Sequence, residues 1–120
     1  MAWNMTSDRP IYVQILDKIQ TRIVCGIYKP GERLPSVREM AAEANVNPNT
    51  MQRAFTELER SGLILTQRNS GRIVTEDRQM IDAAKREMAL AQINSFFANI
   101  RELGFTDQEI IALINSIIKA

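Results

Sequence analysis

The sequence predicts a mainly α-helical fold with one small β-hairpin: a winged helix-turn-helix domain followed by a two-helix C-terminal segment. Three observations carry that reading. Apolar residues recur at three- and four-residue spacings in successive blocks, most of which open on a proline or a capping sequence. Two of those blocks, one ending near Ala44-Asn45 and the next starting at Pro48, are separated only by a short turn. After the second, two β-forming runs, Leu63-Ile64-Leu65-Thr66 and Arg72-Ile73-Val74-Thr75, flank the turn-rich Gln67-Arg68-Asn69-Ser70-Gly71.

The first helix follows Asp8-Arg9-Pro10, an acidic start with a proline near the first turn, and carries Tyr12, Ile15, Leu16, Ile19, Ile23 and Ile27 as one apolar stripe, broken by Gly26 and Pro30-Gly31. It reads as core scaffold. Cys25, the one cysteine of a chain with no histidine, lacks a metal partner or basic activator and is expected as buried packing.

The second helix is expected to begin at Val37. Ser36 and Glu39 form a capping box, Val37, Met40, Ala41 and Ala44 give its apolar side, and Asn45 can adopt the left-handed conformation that closes it. In the third helix Asn47 is the N-cap, Pro48 occupies the first position where its missing N–H costs nothing, and Val46 and Met51 can form a hydrophobic staple. Met51, Ala54, Phe55 and Leu58 share one face, while Asn49, Gln52, Arg53, Thr56 and Arg60 lie on the other, and Gly62 stops the helix. The hairpin is then a wing, with Arg68, Asn69, Ser70 and Arg72 at or near its tip.

The outer face of the third helix has the chemistry of a reading head. Asn and Gln can pair with adenine, Arg with guanine or phosphate, and the N-terminal turns of a recognition helix are the part that reaches base edges. Asn49, Thr50, Gln52 and Arg53 are therefore expected at base edges or flanking phosphates, with Arg53 open between guanine and backbone. A solvated polar face would show the same periodicity. The rival reading is thus a winged-helix protein-interaction module without sequence-specific DNA binding.

The run Gly26-Ile27-Tyr28-Lys29-Pro30-Gly31-Glu32-Arg33-Leu34-Pro35-Ser36-Val37-Arg38-Glu39-Met40-Ala41 resembles the opening motif of the GntR family of bacterial transcription regulators, and Val46 to Phe55 is similar to its short YtrA-type branch. The resemblance runs from near Pro10 to Val74. It implies DNA contacts at Arg38, at the start of the recognition helix and at the wing, which makes Ser36, Arg38, Asn47, Asn49, Thr50, Gln52, Arg53, Arg68, Asn69 and Arg72 the candidate DNA-binding set. Many relatives outside this branch carry arginine where this chain has Pro48, so their base-reading schemes do not transfer to that position.

Residues 77–120 are expected to form a helical dimerisation segment behind a DNA-binding domain at residues 1–76. Ile81, Ala84, Met88, Ala91, Phe96, Phe97, Ile100 and Leu103 give a long apolar stripe, closed by Gly104 with Phe105 behind it. A helix from Arg78 to Leu103 would span roughly 39 Å. Thr106-Asp107-Gln108-Glu109 is a second capping box, and the last helix is rich in isoleucine and leucine, with Ile110, Ile114 and Ile117 as candidate contacts. Two helices cannot bury that much apolar surface alone, so homodimerisation is expected, as the resemblance also implies.

Composition sets the remaining limits. The 120 residues, 45% hydrophobic, allow one real core and an appendage but no separate ligand-binding domain of usual size. No apolar run is long enough to span a bilayer and no signal peptide is evident, so a soluble cytoplasmic protein is expected. The net charge is only +1. A basic footprint is visible only locally, where Arg38, Arg53, Arg60, Arg68 and Arg72 cluster in the proposed reading head, so affinity should rely on two reading heads meeting an inverted-repeat operator on double-stranded DNA. An enzyme is not expected: there is no histidine or glycine-rich phosphate loop, Glu39 and Glu109 are caps, and Glu57 and Glu59 sit beside basic residues. No cofactor or metal is expected. The resemblance leaves room for a small-molecule effector, and no residue identifies one.

Overall fold

The computed structural model describes residues 3–69 and 71–119. The elements are α1 (Ile11–Val24), α2 (Val37–Ala44), α3 (Pro48–Ser61), β1 (Ile64–Gln67), β2 (Gly71–Val74), α4 (Arg78–Arg101) and α5 (Asp107–Ile118). The chain divides into two compact units, one through Lys85 and one from Arg86 onward, so the division falls inside α4.

In the first unit α1 and α2 both pack on α3, and α3 packs on β1. Ile15, Ile19, Ile23, Met40, Ala41, Ala44, Met51, Ala54, Phe55, Leu58, Leu63, Ile64 and Val74 form the core, following the spacings of the sequence. Val46 and Met51 both join it, as the staple requires. Ser36 caps α2 with a complete capping box, and Asn45 closes it at φ 58°. The Asn47 side chain caps α3 by accepting from Asn49 N–H at 2.8 Å. Gly62 ends α3 at φ 87°, a conformation that disfavours a side chain.

The wing is an antiparallel hairpin in the register Ile64↔Val74, Leu65↔Ile73, Thr66↔Arg72 and Gln67↔Gly71. Both strands run further toward the tip than expected, which leaves residues 68–70 as the connection; Ser70 lies outside the described residues. Residues 31–34 run along the other side of β2, with Leu34 N–H donating to Arg72 C=O at 2.9 Å and Val74 N–H to Glu32 C=O at 2.9 Å. The loop before α2 thus continues the sheet and ties the wing to the helix-turn-helix.

Two expectations about α1 are corrected. The helix ends at Val24 and Gly26 turns the chain at φ 88°, so Ile27 leaves the stripe and is exposed. Cys25 is exposed rather than buried: it is the C-cap, past the last full turn, and its backbone N–H donates to Thr21 C=O at 3.0 Å.

The sequence reading also missed Trp3, which is buried in the core. Its indole N–H donates to Glu43 Oε2 at 2.7 Å, and the Arg22 guanidinium donates to the same oxygen at 3.0 Å and to the Tyr28 hydroxyl at 2.9 Å. Arg22 stacks 4.6 Å from the centre of the Trp3 ring. Burial works against the Glu43 charge, yet the indole and guanidinium donors outweigh it and hold its carboxyl below the ordinary range. The buried Gln14 amide donates to Thr6 C=O at 2.9 Å and Arg9 C=O at 2.8 Å and accepts from Thr6 N–H at 2.8 Å. These bonds pin the segment preceding α1.

The expected single stripe along α4 is two. Ile81 and Ala84 join the core of the first unit. Leu90, Ile93, Phe97 and Ile100 follow at three- and four-residue spacings on a different face, since each residue turns the helix by about 100°. Gly104 ends the turn after α4 at φ 94°, the left-handed conformation expected of a C-cap glycine, and Phe105 follows it with 37% of its surface exposed. Thr106 caps α5 with a full capping box, and Arg101 Nε donates to Asp107 Oδ1 at 2.7 Å across the connection.

Candidate nucleic-acid interface

The polar face of α3 is presented as its spacing demands. With Met51, Ala54, Phe55 and Leu58 buried, Asn49, Gln52 and Arg53 are exposed and Thr50 is half-buried. Asn47 Oδ1 is occupied as the cap, and Ser36 Oγ accepts from Glu39 N–H at 3.1 Å, so these two side chains order backbone at the starts of α3 and α2. Thr56 donates to Gln52 C=O at 2.9 Å, a bond internal to the helix, and Arg60 pairs with Glu57 at 2.8 Å. Arg38, at the exposed start of α2, has no carboxylate within ion-pair distance among the described residues.

The wing residues separate into two kinds. Arg68 and Asn69 are exposed at the tip. Arg72 is bound within the domain: its Nε donates to Glu59 Oε1 at 2.8 Å, and its guanidinium lies 5.3 Å from the centre of the Phe55 ring. Thr66 donates to the other Glu59 oxygen at 2.5 Å. One carboxylate on α3 therefore binds both strands, and Arg72 ties the wing to the helix. Sequence spacing placed Glu59 beside basic residues but could not show that its partner lies across the hairpin.

Donation first from Thr66 and then from Arg72 holds the Glu59 carboxyl below the ordinary carboxylate range. A depressed carboxylate stabilises the fold above its unfolded value and loses that contribution as the pH falls through its lower folded value. Glu59→Gln is thus expected to lower Tm by a few degrees at neutral pH and by progressively less as the pH falls from the ordinary glutamate range through the depressed folded value, below which the wild-type group is protonated too. The Arg72 and Glu59 side chains are 25% and 30% exposed, which limits the pair to about 1 kcal/mol or less. Thermal scans of both proteins across the acid range test this; a gap that stays constant with pH would deny Glu59 the bracing role.

A further member of this surface was hidden in the sequence. Tyr12, read as part of the core stripe of α1, is only half-buried, and the Arg53 guanidinium lies 3.7 Å from its ring centre. Ile11, Tyr12, Asn49, Thr50 and Arg53 line one shallow concavity. The α1 stripe gave no sign of this, because a tyrosine at an apolar spacing reads as packing until the position of its neighbour is known.

Among the described residues no group of histidine, cysteine, aspartate or glutamate is arranged to hold a metal ion, and no helix is long and apolar enough to cross a membrane.

Comparison with known proteins places this geometry. Residues 11–74 match the model of the bacterial regulatory proteins of the gntR family. The HTH-type transcriptional regulator YhcF of Bacillus subtilis is 41% identical over 105 residues, covering 88% of this chain and 87% of the relative. The transcriptional repressor YtrA of the same organism is 46% identical over 71 residues, covering 59% of this chain and 55% of the relative. Among solved structures, a GntR family transcriptional regulator from Listeria monocytogenes superposes with a TM-score of 0.85 at 38% identity, covering 93% of this chain and 98% of that one. The chain belongs to the GntR family: it is a DNA-binding transcriptional regulator with a winged helix-turn-helix, and not an enzyme.

Proposed function

We propose that this GntR-family regulator binds an inverted-repeat operator as a homodimer and represses transcription in the cytoplasm, reading bases with the first turns of α3. The observation that carries the proposal is the exposed set Asn49, Gln52 and Arg53 on a helix whose start is set by Asn47 and Pro48 and whose other face is wholly buried. A helix held this rigidly presents its amides with little freedom to lose on binding. Arg38 at the start of α2 and Arg68 and Asn69 at the wing tip are of the types that grip phosphate on either side. The repressor assignment follows the name of the relative YtrA.

Residues 1–76 bind DNA in this reading, and residues 77–120 dimerise. The support for the second half is exposure: Leu90, Ile93, Phe96, Leu103, Ile111, Leu113, Ile117 and Ile118 are 43–75% exposed in one chain. Of the residues assigned to the interface from sequence, Ile81, Ala84 and Ile110 are already covered within the chain, whereas Phe96, Leu103 and Ile117 remain available.

Selection from a randomised duplex library tests the reading. Wild type is expected to enrich two half-sites related by two-fold symmetry. Gln52→Ala should cost about 1–3 kcal/mol at its cognate base pair and little at a mismatched one, relaxing that position more than it lowers affinity for mixed DNA. If neither Gln52→Ala nor Asn49→Ala moves base preference, the α3 face does not read sequence. Absence of salt-sensitive binding to any duplex would favour a protein-interaction module instead.

A further inference from the structure

Among the described residues four arginines lie over aromatic rings: Arg22 on Trp3 and Tyr28, Arg53 on Tyr12, Arg72 on Phe55, and Arg101 on Phe97. Three of them are also paired with a carboxylate, Arg22 with Glu43, Arg72 with Glu59 and Arg101 with Asp107. Arg53 alone has no carboxylate within ion-pair distance among the described residues, and at 3.7 Å it is also the nearest to its ring. In the other three the ring and the carboxylate together fix the side chain and neutralise it. In Arg53 the ring fixes the side chain and leaves its charge intact.

We propose that Tyr12 is the positioning residue for Arg53, seating its guanidinium flat on the ring so that its N–H edges meet a backbone phosphate of the DNA. The inference rests on the reading of α3 as the DNA-facing helix. A guanidinium stacked through one face keeps its in-plane donors, the geometry suited to a phosphate. Ordering it before binding removes part of the rotamer entropy that an unsupported arginine would lose on contact. The stack draws Arg53 to the α1 side of the recognition helix, beside Asn49 and Thr50. That placement resolves the choice the sequence left open, between guanine and backbone, in favour of the backbone.

The test is a double-mutant cycle on a labelled mixed-sequence duplex, titrated at several salt concentrations, with thermal unfolding of each variant as the folding control. Arg53→Ala is expected to weaken binding in parallel across sequences and to reduce the salt slope by about one, as for one lost phosphate contact. Tyr12→Leu should weaken binding about two- to fivefold in the wild-type background and leave it unchanged in the Arg53→Ala background. Tyr12→Phe, which keeps the ring, should bind as wild type. An equal loss from Tyr12→Leu in both backgrounds would mean a merely structural tyrosine, and a loss from Tyr12→Phe as large as from Tyr12→Leu would mean a direct role of the hydroxyl. Either overturns the proposal, as does an unchanged salt slope or an altered base preference in Arg53→Ala. Failure of the DNA-facing reading itself is distinct: wild type would then show no salt-sensitive binding at all.

Discussion

Replacing Phe55 with alanine is expected to cost about 3–5 kcal/mol, most of the stability of a domain this size. Phe55 is fully buried at the centre of α3, the helix on which α1, α2 and β1 all pack. Its ring also lies under Arg72, so the loss extends from the core to the residue that ties the wing to the helix. Leucine at the same position keeps most of the volume and should cost roughly 1–1.5 kcal/mol. The pair separates stability from reading. Phe55→Leu should retain the base preference of wild type with a lower Tm, whereas Phe55→Ala should be largely unfolded near physiological temperature and bind no duplex. Chemical denaturation followed by circular dichroism measures both. A loss below about 1 kcal/mol for Phe55→Ala would show that the surrounding helices collapse onto the cavity and that α3 is not held as rigidly as its burial implies.

What the sequence disclosed and what it hid follow from the range of the interactions involved. The boundaries of α2 and α3 depend on contacts within a few residues, Ser36 with Glu39 and Asn47 with Asn49, and were legible for that reason. The buried face of α3 was legible because helical period alone sorts Phe55 and Leu58 from Asn49 and Gln52. Trp3 was not, because its partners Glu43 and Arg22 lie far along the chain and an isolated tryptophan near a terminus carries no periodic signal. The same distance hid the Arg72–Glu59 pair and the Arg53–Tyr12 stack. Each bears on a residue of the candidate DNA-binding set: Arg72 is bonded to Glu59, and Arg53 lies over the Tyr12 ring. The apolar length of α4 was legible as a total and misleading as a pattern, since Ile81 and Ala84 serve the winged core while Leu90 and Ile93 follow a different face.

Ile117→Asp, alone or with Leu103→Asp, is expected to convert the proposed dimer to monomer at micromolar concentration and to lower operator affinity by roughly 10²–10⁴-fold, the advantage of joining two weak reading heads. The choice of residue decides what the experiment measures. Phe97 and Ile114 carry apolar surface on the same segment, but both are half-buried in a single chain, and Phe97 packs edge-on against Phe96 at 6.0 Å, so a charge there would damage the helical segment itself. Ile117 and Leu103 are 75% and 72% exposed. An aspartate at either site stays in water in the isolated chain and loses that water only if a second chain covers it. Asn115→Asp, on the same helix and already polar, controls for added charge. Sedimentation gives the assembly state, and binding to a full operator and to one half-site gives the coupling between heads. The variant should lose affinity for the full operator and retain that of wild type for the half-site, with thermal unfolding of the winged domain unchanged. A variant that remains dimeric, with full-operator affinity intact, would remove residues 77–120 from the interface and leave their exposed isoleucines and leucines to another partner.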